Sequence, residues 1–232
     1  MNGDESLRFL FEDADIRGEH VQLDAAYRDI LTLHQYAPGV SRLLGEFLAA
    51  SVLLSSNLKF EGRLTLQVRS EGQVPLLMAE CDHLLQIRGI ARGAQEATST
   101  SNDQLLHNGQ LVITIDPTHG QRYQGITALQ QGSLAHSLGA YFEQSEQLKT
   151  RLWLAADGKR AGGLLLQQLP AQITPQEKAQ LRHWEHAYGE GHRIAQSGQR
   201  ANATSPLPPG SASPVRALCG ALPVQLLTGA HV

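Results

Sequence analysis

The chain has 232 residues, with Lys+Arg 19 against Asp+Glu 22, a formal net charge of -3 and 10 histidines. That length is ample to bury the core of one large or two small domains, and the slight acidity excludes a general nucleic-acid binder, which would carry a basic stripe. Two cysteines, Cys81 and Cys219, exclude a disulfide framework or a four-thiolate zinc site within these residues, and no run approaches the ~20 apolar residues of a membrane span. The opening segment carries acids early and has no signal-peptide core, so a cytoplasmic protein is expected.

At the start of the chain, Phe9, Phe11 and Ile16, then Val21 and Leu23, alternate with polar residues. The pattern predicts two short strands around a turn at Gly18. Asp24 is placed to N-cap a helix running to Tyr36, with Tyr27, Ile30, Leu31 and His34 on one side, and Pro38-Gly39 breaks it. A second helix over 40–56 repeats Val40, Leu43, Leu44, Phe47, Leu48 and Val52 at helical spacing, as a core helix does.

From residue 62 the period changes to two. Leu64, Leu66 and Val68 alternate with Thr65, Gln67 and Arg69, which predicts a half-buried antiparallel strand. Short runs at 74–81, 84–92, 110–117 and 121–129 extend this into a meandering, mainly antiparallel sheet, with the polar stretch 94–104 as a mobile loop. Ser133 caps a third helix through Leu148. Arg151–Ala156 and Gly163–Leu169 close the domain as a hairpin turning at Asp157-Gly158. A polar helix follows up to residue 187, with Leu181 and Trp184 as its apolar anchors. The fold class is therefore α+β: a mainly antiparallel sheet packed with helices.

No catalytic constellation emerges from the residues. His183 and His186 lie three apart on the polar helix without the HExxH pattern or a third ligand, so a solvated helix face is the plainer reading. His20, His34, His83, His107, His119 and His136 show no ligand spacing. Cys81 ends an apolar strand and reads as a buried thiol. There is no GxSxG elbow, Walker A loop or GxGxxG turn. Gly162-Gly163 inside a strand reads as a bulge or a close backbone approach. Glu80, Asp82 and Asp116 are carboxylates at strand ends, where turns explain them more cheaply than glycoside chemistry. Arg88 and Arg92 share a strand face and, with Arg122, form a candidate anion site, against which stands ordinary pairing with acids. Site residues are accordingly none: none catalytic, none cofactor-binding, none metal-binding.

Several blocks together resemble one family. Residues 7–19 (LRFLFE…RGE), 58–67 (LKFEGRLTLQ), 87–92 (IRGIAR), 111–117 (LVITIDP), 122–126 (RYQGI), 138–151 (LGAYFEQSEQLKTR) and 161–172 (AGGLLLQQLPAQ) resemble, in order, the redox-regulated 33 kDa chaperonin (heat-shock protein 33) family. Lys149 departs from the proline that the family usually has before Thr-Arg. The resemblance implies an ATP-independent holdase that binds unfolding proteins under oxidative or heat stress, with client proteins and a homodimer as partners and neither nucleic acid nor membrane. It implies a chaperone core domain over 1–172 and the start of a helical linker over 173–187. In the family, a zinc domain with CxC and CxxC cysteines follows, and oxidation of those thiolates releases zinc and loosens a linker that covers apolar binding surface. Neither Cys81 nor Cys219 stands in such a pair, so no zinc and no cysteine switch are expected here, and the apolar surface is expected to be open. The competing readings are a small-molecule enzyme using the arginines, a small interaction module and a non-functional truncated remnant.

The tail over 188–232 is expected to be disordered and aberrant. Residues 191–232 contain no Asp, Glu, Lys, Phe, Tyr or Trp, and five of the 10 prolines fall at 206, 208, 209, 214 and 223. The degenerate codons of Gly220–Val232, read one base later, permit V-R-F-R-C-S-C-S-R-E-R, the signature around the family's first cysteine pair. A frameshift after about Ala187 accounts for both features, and a lineage-specific tail is the alternative. Sequencing the gene is expected to show two TGC codons in the +1 frame beneath Val224–Leu227. Their absence would leave the tail as a genuine variant.

Overall fold

The computed structural model describes residues 3–11, 15–58, 61–130 and 133–169, together with the strand over 224–231. The elements in chain order are β1 (Glu5–Phe11), β2 (Ile16–Leu23), α1 (Ala25–Thr32), α2 (Pro38–Ser55), β3 (Gly62–Arg69), β4 (Leu76–Asp82), β5 (Ile87–Arg92), α3 (Asn102–Leu105), β6 (Gln110–Pro117), β7 (Tyr123–Ala128), α4 (Leu134–Ser145), β8 (Thr150–Ala156), β9 (Ala161–Gln168) and β10 (Val224–His231). The α+β class holds, but the strands form two antiparallel sheets rather than one. Sheet A runs β10-β1-β2-β9-β8 and sheet B runs β5-β4-β3-β6-β7. The among-strand alternation is alike in both, so nothing local separates them. The division comes from the long-range pairing of β2 with β9, from Ile16↔Gln168 to Leu23↔Ala161. None of the described helices is long and apolar enough to cross a membrane.

Helix α2 explains why two sheets form. Pro38 lies in its first turn, where a missing N–H costs nothing, so proline starts this helix; α1 has already ended at Thr32, before the proline could break it. Val40, Leu43, Leu44, Phe47, Leu48 and Val52 are all buried, and so are Ala49, Ala50, Leu53 and Leu54 on the remaining sides. A helix apolar on nearly every side needs enclosure. Strands β2, β8 and β9 of sheet A and β3, β4 and β5 of sheet B all pack against it. From sheet B it receives Leu64, Leu66, Val68, Leu77, Ala79, Leu111 and Ile113, and from sheet A Val21, Leu23, Leu152 and Leu165. Its buried serines are satisfied: Ser51 Oγ donates to the Leu48 carbonyl within the helix (2.8 Å) and Ser55 Oγ to the Cys81 carbonyl of β4 (3.0 Å).

Several local expectations change. Gly18 is not a turn but the middle of β2, opposite Phe9. The Phe9 ring lies across it, and a Cβ there would sit 2.2 Å from the ring. The chain reverses instead between Phe11 and Ile16. Helix α1 ends at Thr32, short of Tyr36, and Asp24 supplies no side-chain cap. Asp4 does so from just before β1, its carboxylate accepting from the Asp24, Ala25 and Ala26 amides. The stretch 94–104 is not a mobile loop. Ala94 and Ala97 are buried, α3 begins at Asn102, and Gln73 Oε1 accepts from the Thr98 and Ser99 amides at 3.0 and 2.9 Å. Gly162-Gly163 pairs on both sides without a bulge, and the close approach explains it: a Cβ on Gly163 would meet Leu53 of α2 at 2.8 Å. Helix α4 ends at Ser145, three residues before Leu148, with Ser133 Oγ accepting from the His136 amide as expected. The turn at Asp157-Gly158 also stands, with Gly158 at φ +86° and Asp157 Oδ1 accepting from the Lys159 and Arg160 amides. Within the tail expected to be disordered, Val224–His231 forms a strand on the edge of β1. The sequence VQLLTGAH has few charges and no internal proline to prevent it. The polar helix and linker start over 171–187 lie outside the described residues.

Phe47→Ala removes the largest side chain of α2 from the space between the sheets. It is expected to cost about 3–5 kcal/mol, read by urea unfolding. A loss below about 1 kcal/mol would show that α2 is not the centre of the core.

Candidate functional site

The outer faces of the two sheets differ in chemistry. On sheet B, strand alternation sends Leu64, Leu66 and Val68 inward and leaves Arg63, Thr65, Gln67 and Arg69 outside. Glu80 on β4 lies opposite Thr65 and Arg88. Arg63 Nε and Arg88 Nη2 both reach Glu80 Oε1, at 2.9 and 2.7 Å, and Thr65 Oγ1 donates to Oε2. Arg88 of β5 is therefore engaged by a cross-strand acid.

The expected anion site is not assembled. Arg88 and Arg92 lie on β5 at one edge of sheet B, whereas Arg122 immediately precedes β7 at the other edge. Four inter-strand steps of ~4.8 Å separate those edges. The carboxylates do not pair for catalysis either. Glu80 is held by two arginines, Asp82 Oδ1 accepts from the Leu84 and Gln86 amides in the turn after β4, and Asp116 lies opposite Arg63. Among the described residues no group of His, Cys, Asp and Glu has metal-binding geometry. His34, His83, His107, His119 and His136 are not brought together by the fold, and His183, His186 and Cys219 lie outside the described residues. Cys81 is buried against α2, and burial pushes its thiol up to about 12. It is an inert core residue, as its strand-end position suggested.

Sheet A carries an apolar outer face. Phe9 and Phe11 of β1, Ile16 of β2 and Leu164 and Leu166 of β9 share it, because Val21, Leu23 and Leu165 take the face toward α2. Leu7 and Trp153 flank them. All five large side chains are buried, Phe9, Ile16 and Leu166 to 2% exposure, although none belongs to the interior cluster around α2. Phe9 and Phe11 meet edge to face with centroids 5.7 Å apart. These five side chains are thus shielded from solvent. Among the described residues the large apolar side chains that are exposed are Leu33 just after α1, Leu84 between β4 and β5, and Tyr123 and Ile126 on β7, none of them on sheet A.

One polar side chain is set into this face. His20 lies between Leu7 and Leu164, with its Nδ1 shut off from solvent and without a hydrogen-bond partner. Burial pushes its imidazole down to about 4. On the opposite face Glu19 is buried near the end of α2. It accepts from Ser6 Oγ (3.0 Å) and Asn57 Nδ2 (2.9 Å), and burial raises its carboxyl above the usual range. Arg17 donates to Gln167 Oε1 beside it. Arg17, Glu19 and Asn57 line a cleft of about 160 Å³ with Arg8 and Ser56, and the hydrogen bonds of Glu19 fix β1 and β2 to the loop after α2.

Sequence reasoning named none of the apolar face as a site. One signal for it was present. Leu164-Leu165-Leu166 places three large residues consecutively in an antiparallel strand, which demands apolar surroundings on both faces.

The comparisons agree with this architecture. Residues 4–201 match the family model described as "Hsp33 protein". The chain is 51% identical over 187 residues to the 33 kDa chaperonin of Pseudomonas paraeruginosa and 50% identical to that of Pseudomonas aeruginosa, in each case over 80% of this chain and 63% of the relative. It thus spans less than two thirds of the length of these relatives. A crystal structure of the 33 kDa chaperonin (heat shock protein 33 homolog) of Thermotoga maritima superposes with a TM-score of 0.73 at 17% identity, covering 100% of this chain and 79% of that one. At that identity the likeness is one of fold.

His20 makes the fold acid-sensitive. Its folded-state value lies below the ordinary 6.5, so the native state resists protonation; the contribution is whole above pH 6.5 and is lost as pH falls towards 4. Glu46 of α2, pushed up to about 7 by burial, acts in the opposite sense, losing its contribution as pH rises through 7. His20→Gln is therefore expected to remove about 2–3 kcal/mol of the stability difference between pH 7 and pH 4.5. Urea unfolding of both proteins at the two pH values checks this, and identical pH slopes would contradict it.

Proposed function

The chain belongs to the Hsp33 family, and from that membership we propose that it is an ATP-independent holdase whose client surface is the apolar outer face of sheet A. The observation that carries the reading is the set Phe9, Phe11, Ile16, Leu164 and Leu166: a contiguous apolar face distinct from the core. Unfolding proteins display apolar side chains without a fixed shape, so a broad apolar sheet captures them without a shaped pocket. No step of this activity consumes a nucleotide, and it needs no catalytic residue. The dispersal of Arg88, Arg92 and Arg122 removes the basis of the enzyme reading.

The face is closed at rest, so capture requires it to open. In the family, oxidation of four cysteines releases a covering linker. Within these 232 residues there are two cysteines, neither in a CxC or CxxC pair, and Cys81 is locked in the core. The proposal therefore assigns no zinc ligand and no thiol switch to these 232 residues. Heat remains as the trigger in this reading, because local opening needs less free energy than unfolding of the core, and the working compartment is the cytoplasm.

Light scattering from a thermally unfolding client tests both parts. Purified chain is expected to suppress aggregation on warming, equally well in dithiothreitol and after hydrogen peroxide. Soluble, folded protein that suppresses nothing would remove the holdase reading, and a several-fold gain on oxidation would restore a redox switch. Leu7→Glu, at the half-buried rim of the face, is expected to weaken suppression several-fold without shifting the unfolding midpoint.

A further inference from the structure

We infer that the outer edge of β1 is a strand-addition site for extended, uncharged polypeptide, and that Val224–His231 occupies it as an intramolecular competitor. The inference deepens the proposed function and rests on it only for the partner, an extended segment of an unfolding protein. Strand β1 is paired on one side with β2 and on the other with β10. The second pairing runs antiparallel along the whole of β1, from Glu5↔His231 to Phe11↔Val224. Without it, β1 would present a full row of unpaired N–H and C=O groups at the margin of sheet A.

The occupant shows what the edge accepts. VQLLTGAH contains no Asp, Glu, Lys or Arg, and Pro223 stands immediately before its first residue, where pairing ends. The register shifts between Arg8 and Phe9. A ladder that tolerates such a slip is held by backbone hydrogen bonds more than by a fixed side-chain match, so other extended sequences suit it. A segment added to β1 also extends the sheet that bears Phe9 and Phe11. Backbone pairing and apolar contact would then act on one client at once, so their binding contributions reinforce each other.

The test uses the full chain and a variant carrying Leu226→Pro and Thr228→Pro, which sets two prolines into β10 opposite Phe9 and Arg8 and so disrupts its pairing while leaving the sequence of β1 unchanged. The probe is a fluorescein-labelled peptide of sequence VQLLTGAH, followed by anisotropy and by hydrogen exchange of residues 5–11. The variant is expected to bind the peptide at least tenfold more tightly than the unmodified chain, and the peptide should slow exchange in β1. Equal affinity for the two proteins, or binding that leaves β1 exchange unchanged, would overturn the inference. So would dimers of the variant that form through this edge and exclude the peptide, because the occupant would then be a second copy. Exchange in β3 and β4 verifies the fold, and Thr228→Pro alone replaces the double variant where it is disturbed. The two readings separate cleanly. Peptide binding without suppression of client aggregation would leave the edge site standing and remove the holdase. Suppression with no peptide effect on β1 would do the reverse.

Discussion

Burial of α2 from all sides is the constraint on which the molecule depends. A single sheet covers one side of a helix. This helix presents Leu43, Leu44, Phe47, Leu48, Leu53 and Leu54 around its circumference, and all are buried. Two sheets are the economical enclosure, and both must approach closely. Gly163 permits this on the sheet A side, where a Cβ would meet Leu53. On the sheet B side Gly89 does the same beneath Leu44 and Leu48. The fold is a helix wrapped by strands, and its outer surfaces are the backs of the wrapping.

Those backs face different surroundings. Sheet B is finished in the ordinary manner of an antiparallel sheet, apolar within and polar without, with Glu80 tying three strands together through Arg63, Thr65 and Arg88. Sheet A carries an apolar outer face, interrupted there by the unpartnered Nδ1 of His20, while its inner face combines Val21, Leu23 and Leu165 with the polar set around Glu19. Buried polar atoms normally find partners, so an apolar face that keeps one without is poorly suited to permanent closure. A surface that must open and close combines these properties: enough apolar area to be covered, and a flaw that limits how firmly.

The core helix and most strands were legible because their periodicities are strong. Val40 to Val52 repeat at helical spacing and Leu64 to Val68 alternate, so α2 and β3 follow directly. The existence of two sheets was not legible, because it depends on β2 meeting β9 across most of the chain. The cap of α1 was misassigned for the same reason: Asp24 has the local pattern, but Asp4 arrives from the far end of β2's partner strand. Gly18 read as a turn because a glycine among polar residues commonly is one, and only the Phe9 ring shows why the position must be bare. The apolar face was visible in part. Phe9, Phe11 and Ile16 stood out in the alternation, yet alternation does not say which side of a strand meets the core. Leu164 to Leu166 carried that information, and it is readable only once β9 is known to be flanked on both edges.

The pairing of β2 with β9 also governs the order in which the molecule can be made. Sheet B draws all its strands from residues 62–128, one continuous stretch that closes on α2 as soon as it leaves the ribosome. Sheet A begins with the first hairpin synthesised and lacks the pairing of its central strand β2 with β9 until Gln168 emerges. Through that interval half of α2 and the Phe9–Phe11 pair remain in water, and the loop to be closed spans most of the domain. A nascent chain in this state carries the same exposed apolar surface and open strand edge as the unfolding proteins it is proposed to hold, so it is itself a substrate for capture until translation passes residue 168.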